Sequence, residues 1–354
     1  MTPVELSRTV LRAVRRAVDE GELGVSVPER VVVTVPGPGG CGDYATNVAL
    51  QLARSAGQPA QRVAEVLRAH LVALDGIGDV SVTGPGFLNI SLRDVGAAST
   101  RLVDEILLRG PQYGHADQPT GERFQLHCAR EVRSVVVMDT VARLLRSQGA
   151  LVRTSCEGPP PPEWETVLGA RVEAAGRPGA PAPLDVNIRP VPAPADPLPL
   201  GRDAARWALL HPAAHDRPRI DDHHLVQRES NPLFRVRYAH ARTRAILRNA
   251  ADLGFFPEPG HTSGPESATV TLLTALADHP RVLAQAAANR APDRLARHLV
   301  TVADAVPPFL ATVLPRGEEK PSAAHRARLA LAEAAGTVLA GGLSLLGIDA
   351  PDHL

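Results

Sequence analysis

Lysine is nearly missing from this chain: Lys320 is the only one, so positive charge is carried by arginine. That bias follows genome composition first, although arginine also grips phosphate through a bidentate fork. Aromatic residues make up 3%, which leaves Leu, Val and Ala to build the cores. Cysteine is scarce too. Cys41, Cys128 and Cys156 are odd in number, far apart and without a CxxC pair, which argues against a disulfide framework and against a metal site. No long apolar run opens the chain, and its first helical stretch ends in Asp19 and Glu20, so a soluble cytoplasmic protein is expected. Net charge is also absent, with 38 basic side chains against 38 acidic ones. This excludes a molecule-wide electrostatic signature of nucleic-acid binding and confines any such surface to a local patch.

What is present is a length of 354 residues, enough for two or three domains. Val4, Leu6, Val10, Leu11, Val14 and Val18 recur at helical spacing. A β-branched run at residues 30–35, closed by Pro and Gly at 36–40, reads as a strand with a turn. Residues 42–53 lead into a helix, Gly57 and Pro59 break it, and residues 60–74 form another. Strands follow at 79–83 and 86–92. Alternation puts Phe87, Asn89 and Ser91 on one face and Leu88, Ile90 and Leu92 on the other. Together these elements predict a small α+β domain.

Residues 124–126, a helix over 131–147 and residues 150–154 suggest a βαβ-like piece that pairs with a strand at 184–188. Between 158 and 200 lie twelve prolines, each of which would delete a ladder donor. The stretch therefore reads as a partly extended, flexible connection. A helix at 201–210 comes next. His223 and His224 have no partner at ligand spacing and are read as a surface pair. From Arg228 to Arg248 there are six arginines against one acid, Glu229, the strongest basic patch in the chain. On a helix starting near Asn231, Val236, Ala239, Thr243, Ile246, Leu247 and Ala250 share one side, with Arg237, Arg244 and Arg248 opposite. Helices are expected at 267–277, 280–289, 293–306, 308–314 and 322–346, the last stopped by Gly347 with Pro351 beyond.

The residue order of the closing helix, Arg328-Leu-Ala-Leu through Val338-Leu-Ala to Leu345-Leu-Gly-Ile-Asp-Ala-Pro351, resembles the end of the arginyl-tRNA synthetase family, whose helical anticodon-binding domain is known by the letters DALR. Upstream segments resemble that family in the same order. Asn231-Pro-Leu-Phe-Arg-Val-Arg-Tyr-Ala-His-Ala-Arg242 is similar to its NPVxYxxYAHAR helix. Gly201-Arg-Asp-Ala-Ala-Arg-Trp-Ala-Leu-Leu210 is similar to GxDAxRxxLL, and residues 42–53 with 84–92 look like the N-terminal additional domain. The resemblance implies an α+β protein in three parts: an N-terminal domain over 1–110, a truncated Rossmann-like remnant with a Pro-rich linker over 111–200, and a DALR-type bundle over 201–354.

The middle part departs from the family. Its first signature, HxGHxRS, falls on Cys128, Arg130 and Glu131, with only Arg133-Ser134 retained. Those histidines hydrogen-bond ATP phosphates and the glycine admits adenine, so their loss strikes at mechanism. No KMSK-type loop is found. The resemblance accordingly implies a tRNA-binding paralogue, a pseudoenzyme with no catalytic residues, no metal and no cofactor, contacting tRNA through Phe87, Asn89, Arg237, Tyr238, Arg242, Arg244 and Arg248. A protein partner is a further candidate, while membrane and DNA are not expected. Two alternatives stay open: an active arginine–tRNA ligase, which would need ATP, and a protein–protein adaptor that no longer binds RNA.

Overall fold

A computed structural model describes residues 3–34, 36, 42–92, 95–176, 185–260, 262 and 267–354. Val35, the turn at 37–40 and Cys41 lie outside the described residues. The chain forms two compact units, Met1–Leu102 and Val103–Leu354.

In the first unit, α1 (Pro3–Asp19) turns Leu6, Val10 and Val14 inward at helical spacing. The strands β1 (Val33–Thr34) and β2 (Tyr44–Thr46), the helices α2 (Val48–Ala56) and α3 (Ala60–Val72), and the hairpin of β3 (Ile77–Thr83) and β4 (Phe87–Leu92) complete it. The sheet is antiparallel in the order β1-β2-β4-β3. Leu88 and Ile90 of β4 meet Val63, Leu67 and Leu71 of α3 in one fully buried core, so the helices cover one face of the sheet. α4 (Val95–Arg109) follows.

The second unit contains a parallel sheet and a helical bundle. β5 (Arg123–Cys128), α5 (Val132–Ser147) and β6 (Leu151–Cys156) make one βαβ crossover, after which α6 (Pro162–Thr166), β7 (Ala174–Ala175) and β8 (Asp185–Ile188) follow. All pairings are parallel, in the order β7-β6-β5-β8. Residues 177–184 lie outside the description, but the later part of the proline-rich stretch is packed rather than loose. β8 is an edge strand, where a following proline removes no ladder bond. Pro190, Pro197 and Leu200 are buried, and the Val191 N–H donates to the Ala214 carbonyl at 2.8 Å. The middle segment and the bundle thus belong to one compact unit instead of two bodies joined by a spacer.

The bundle comprises α7 (Gly201–Leu210), α8 (Pro232–Asp252), α9 (Ser267–Ala288), α10 (Pro292–Leu310) and α11 (Ala323–Leu346). Asn231 caps α8, its side chain accepting the Leu233 N–H at 3.1 Å. α11 is long and apolar enough to cross a membrane by composition, yet 72% of its most apolar window is buried, as befits the central helix. Its glycines allow that position. A Cβ on Gly336 would fall on the Thr243 hydroxyl of α8, and one on Gly342 would fall on Leu299 of α10. It stops at Gly347, which has a positive φ of 74°.

Two expected breaks are absent. α9 runs through Pro280, and α10 through Pro307 and Pro308. An interior proline costs a helix about 3 kcal/mol. Here Leu276, His279 and Leu283 form one buried stripe across Pro280, and Val306, Phe309 and Leu310 do the same in α10, so packing overrides the local preference.

Candidate nucleic-acid interface and nucleotide cradle

Phe87 opens β4 and is 41% exposed, placing an aromatic ring at one end of the sheet of the first unit. Asn89, read from alternation as an exposed amide on the same face, is 2% exposed. β4 is flanked by both β2 and β3, with Ala45 and Ser81 in register beside Asn89. Its amide nitrogen lies along the sheet and donates to the Thr83 hydroxyl at 2.6 Å. An amide held this way is part of the sheet rather than a free edge for reading a base, which corrects the expectation for Asn89.

In the second unit, the α5 N-terminus lies just past the carboxyl end of β5. In parallel-sheet folds this place is a ready anion cradle, because the first turn of a helix presents unpaired N–H groups. Here the chain fills the cradle itself. Glu131 caps α5, and its carboxylate accepts the N–H groups of Arg133 at 3.0 Å and Ser134 at 2.8 Å and the Ser134 hydroxyl at 2.9 Å. It also takes the Ala193 N–H at 3.0 Å. A triphosphate brought to these donors would displace a carboxylate and meet its negative charge.

The neighbouring positions are equally committed. Arg130 donates through Nε to the Pro159 carbonyl at 2.7 Å. Cys128 and Cys156 are register partners in adjacent strands and both are buried. Burial, with the second thiol beside it, pushes the Cys128 thiol pKa up, which keeps it protonated and inert. Arg133, wholly buried, donates to the carbonyls of Leu209 (3.0 Å), Val191 (2.7 Å), Asp216 (2.7 Å), Pro212 (3.2 Å) and Ala213 (2.9 Å). Its guanidinium ties α5 to the segments around α7.

Sequence reasoning missed a second buried arginine. Arg206 of α7 donates to Asp139 Oδ2 at 2.8 Å, the Thr140 hydroxyl at 2.9 Å, the Leu168 carbonyl at 3.0 Å and the Leu346 carbonyl at 2.6 Å. Burial lowers its pKa while Asp139 opposes that shift. The position coincides with the arginine of the GxDAxRxxLL pattern, but no local signal marks its burial or its partner in α5.

On α8 the arginines divide. Arg237 faces Asp203 of α7 at 3.4 Å. Arg244 donates to Asp352 Oδ1 at 3.1 Å, and Arg248 reaches the Asp352 carbonyl and His353 Nδ1, each at 3.4 Å. In that stripe Arg237 and Arg244 are therefore matched by carboxylates from α7 and the segment after α11, and Arg248 by a backbone carbonyl and an imidazole. Tyr238 and Arg242 are different. They are exposed, four residues apart on one face, and Tyr238 stacks on Phe234 with ring centroids 5.4 Å apart. Arg242 opens onto a cleft of about 280 Å³ that also holds Asn249 and Arg316, neither singled out from the sequence. His223 and His224 each donate through Nε2 to a backbone carbonyl, of Ser230 at 3.2 Å and Arg219 at 2.9 Å, and among the described residues they converge on no common ligand position.

Comparison with known proteins fits this division of the chain. Residues 5–92 match the model of the arginyl tRNA synthetase N terminal domain, and residues 236–354 that of the DALR anticodon binding domain. An arginine–tRNA ligase of Frankia alni is 26% identical over 556 aligned residues, covering 100% of both chains. Set against the 354 residues of this chain, that alignment leaves at least 202 positions with no residue here. The ligase of Renibacterium salmoninarum is 42% identical over 43% of this chain and 30% of its own. Among solved structures, the Thermus thermophilus arginyl-tRNA synthetase shares the fold with a TM-score of 0.73 at 15% identity over 100% of both chains, and the Plasmodium falciparum arginyl-tRNA synthetase does so with 0.69 at 9% over 99% of each. With both terminal domains matched and the order of elements retained, the chain belongs to the arginyl-tRNA synthetase family.

Proposed function

We propose that this protein binds tRNA in the cytoplasm and does not form aminoacyl-adenylate. The observation that carries the reading is the Glu131 carboxylate seated on the first N–H groups of α5 at 2.8 and 3.0 Å. Adenylate formation concentrates negative charge on the departing phosphates, and catalysis rests on preorganised donors aimed at that charge. At this position the donors already serve a fixed anion. The shortened middle points the same way, since at least 202 positions of the alignment with the Frankia ligase have no counterpart among these 354 residues. For RNA, the support is the pair of retained terminal domains and the exposed Tyr238 and Arg242, one able to stack on a base and the other to bind phosphate.

A second reading, an active arginine–tRNA ligase, is favoured by one fact: relatives aligned over their whole length are named arginine–tRNA ligases. A filter-binding titration with total tRNA, run beside ATP–pyrophosphate exchange with arginine, separates them. Salt-dependent binding without exchange is expected. Exchange above background would establish the ligase, and salt-independent or absent binding would favour a protein adaptor.

A further inference from the structure

The first unit carries a basic groove that neither the sheet face nor α8 accounts for. It is a cleft of about 660 Å³ formed by α1, the turn before β3 and the residue Arg101 of α4. Arg8, Arg12 and Arg15 line it from one face of α1, spaced four and three residues apart, and Arg101 joins them. All four are exposed. Arg12 donates to the Thr9 hydroxyl at 3.1 Å. Among the described residues, nothing engages Arg8, Arg15 or Arg101. The contrast with Arg16 is direct, since that side chain is paired with Glu20 at 2.8 Å. Glu5 and Asp75 are the acids of the groove, so four guanidinium groups converge against two carboxylates in a protein of zero net charge.

We propose that this groove grips the phosphodiester backbone of a bound RNA, a second contact of the first unit. The inference rests on the tRNA-binding reading above. Arginine forks match phosphate oxygens, and three on one helix face rise by about 6 and 4.5 Å in turn, which sets them along a strand rather than on a point. No aromatic side chain lines the groove, so it would hold RNA without reading sequence. It lies at the Ile77 end of β3, whereas Phe87 pairs with Thr83 at the other end. Six residues of strand separate them, about 20 Å, and the two contacts would engage different parts of one RNA.

The test uses the full chain and total tRNA in salt titrations. Arg8→Gln, Arg12→Gln and Arg15→Gln together should weaken binding by about 30- to 100-fold near physiological salt and lower the salt slope by about 2 to 3, given roughly 0.7 to 0.9 per phosphate neutralised. The corresponding triple Lys variant should keep most of that slope. These side chains are exposed, so thermal melts of all three proteins should coincide. A wild type that binds tRNA with a triple Gln variant that binds equally well would overturn the groove and leave the tRNA reading standing. A wild type without salt-dependent tRNA binding would overturn both. Poly-glutamate binding the wild type but not the Gln variant, at equal tRNA affinity, would assign the groove to an acidic protein instead.

Discussion

The carboxylate of Glu131 lies 2.8 Å from the backbone nitrogen of Ser134 and 2.9 Å from its hydroxyl. The same carboxylate caps the α5 N-terminus and anchors residue 193 through the Ala193 N–H. Glu131→Ala should destabilise the protein by about 1–3 kcal/mol, combining a lost cap with an orphaned donor. Urea denaturation would read this as a lower midpoint at unchanged m. Affinity for tRNA should not change.

Asp139 and Arg206 form a buried pair at 2.8 Å, with Arg143 also 3.1 Å from the carboxylate. Asp139→Asn would leave a buried guanidinium without its counter-charge, and breaking one partner of such a pair costs about 3–5 kcal/mol. A loss under about 1 kcal/mol in equilibrium unfolding would mean that the carbonyls of Leu168 and Leu346 suffice to hold Arg206.

The rings of His279 and His298 lie 5.3 Å apart within the bundle, tilted by 34°, each with a buried ring nitrogen that has no partner among the described residues. Burial pushes their pKa values down to about 3 and about 4. In the unfolded chain both titrate near about 6.5, so below that pH the unfolded state binds protons that the native state refuses. Stability should be full above about pH 6.5, fall by about 1.4 kcal/mol per pH unit per histidine on acidification, and level off near the folded values. His298→Gln should reduce that slope in urea titrations between pH 4 and 6.5, a window set by these pKa values. An unchanged slope would point to other groups.

Phe87 and Asn89, two residues apart on one strand, should separate by phenotype. Asn89→Ala should cost about 1–3 kcal/mol of stability, since it removes a buried hydrogen bond, and leave the tRNA affinity of the folded protein alone. Phe87→Ala should alter stability by no more than about 0.5 kcal/mol and weaken tRNA binding by about 1–3 kcal/mol if the ring stacks on a base. The reverse pattern would take the ring off the RNA surface.

Arg242 is exposed without an acidic partner among the described residues, whereas Arg244 is matched by Asp352. Arg242→Glu should weaken tRNA binding by about tenfold. Asp352→Asn, by releasing Arg244, should strengthen it by about two- to fivefold at low salt. Equal effects of Arg242→Glu and Arg244→Glu in filter binding would show that RNA displaces Asp352 outright.

Much of the architecture was legible in the residue order because it depends on neighbours in sequence. The three-to-four spacing of Leu6, Val10 and Val14 fixes the buried face of α1, and Asn231 and Gly347 mark where helices begin and end. The family resemblance came from the same local strings and needed no coordinates. The positions of Pro280 and Pro308 misled, since their helices persist through burial that no local rule contains.

What the folded structure decided is which polar groups are already taken. Arg237, Arg244 and Arg206 look alike in a list of helical residues, yet their partners Asp203, Asp352 and Asp139 come from other elements, up to 108 residues away. The same holds for Asn89, whose alternation suggested exposure while its amide donates to Thr83, and for Arg8, Arg15 and Arg101, which have no partner among the described residues and which no pattern distinguished from paired arginines. Periodicity reports the side of an element on which a residue sits; a charge or an amide is free or satisfied only by what the rest of the chain brings within about 3 Å of it.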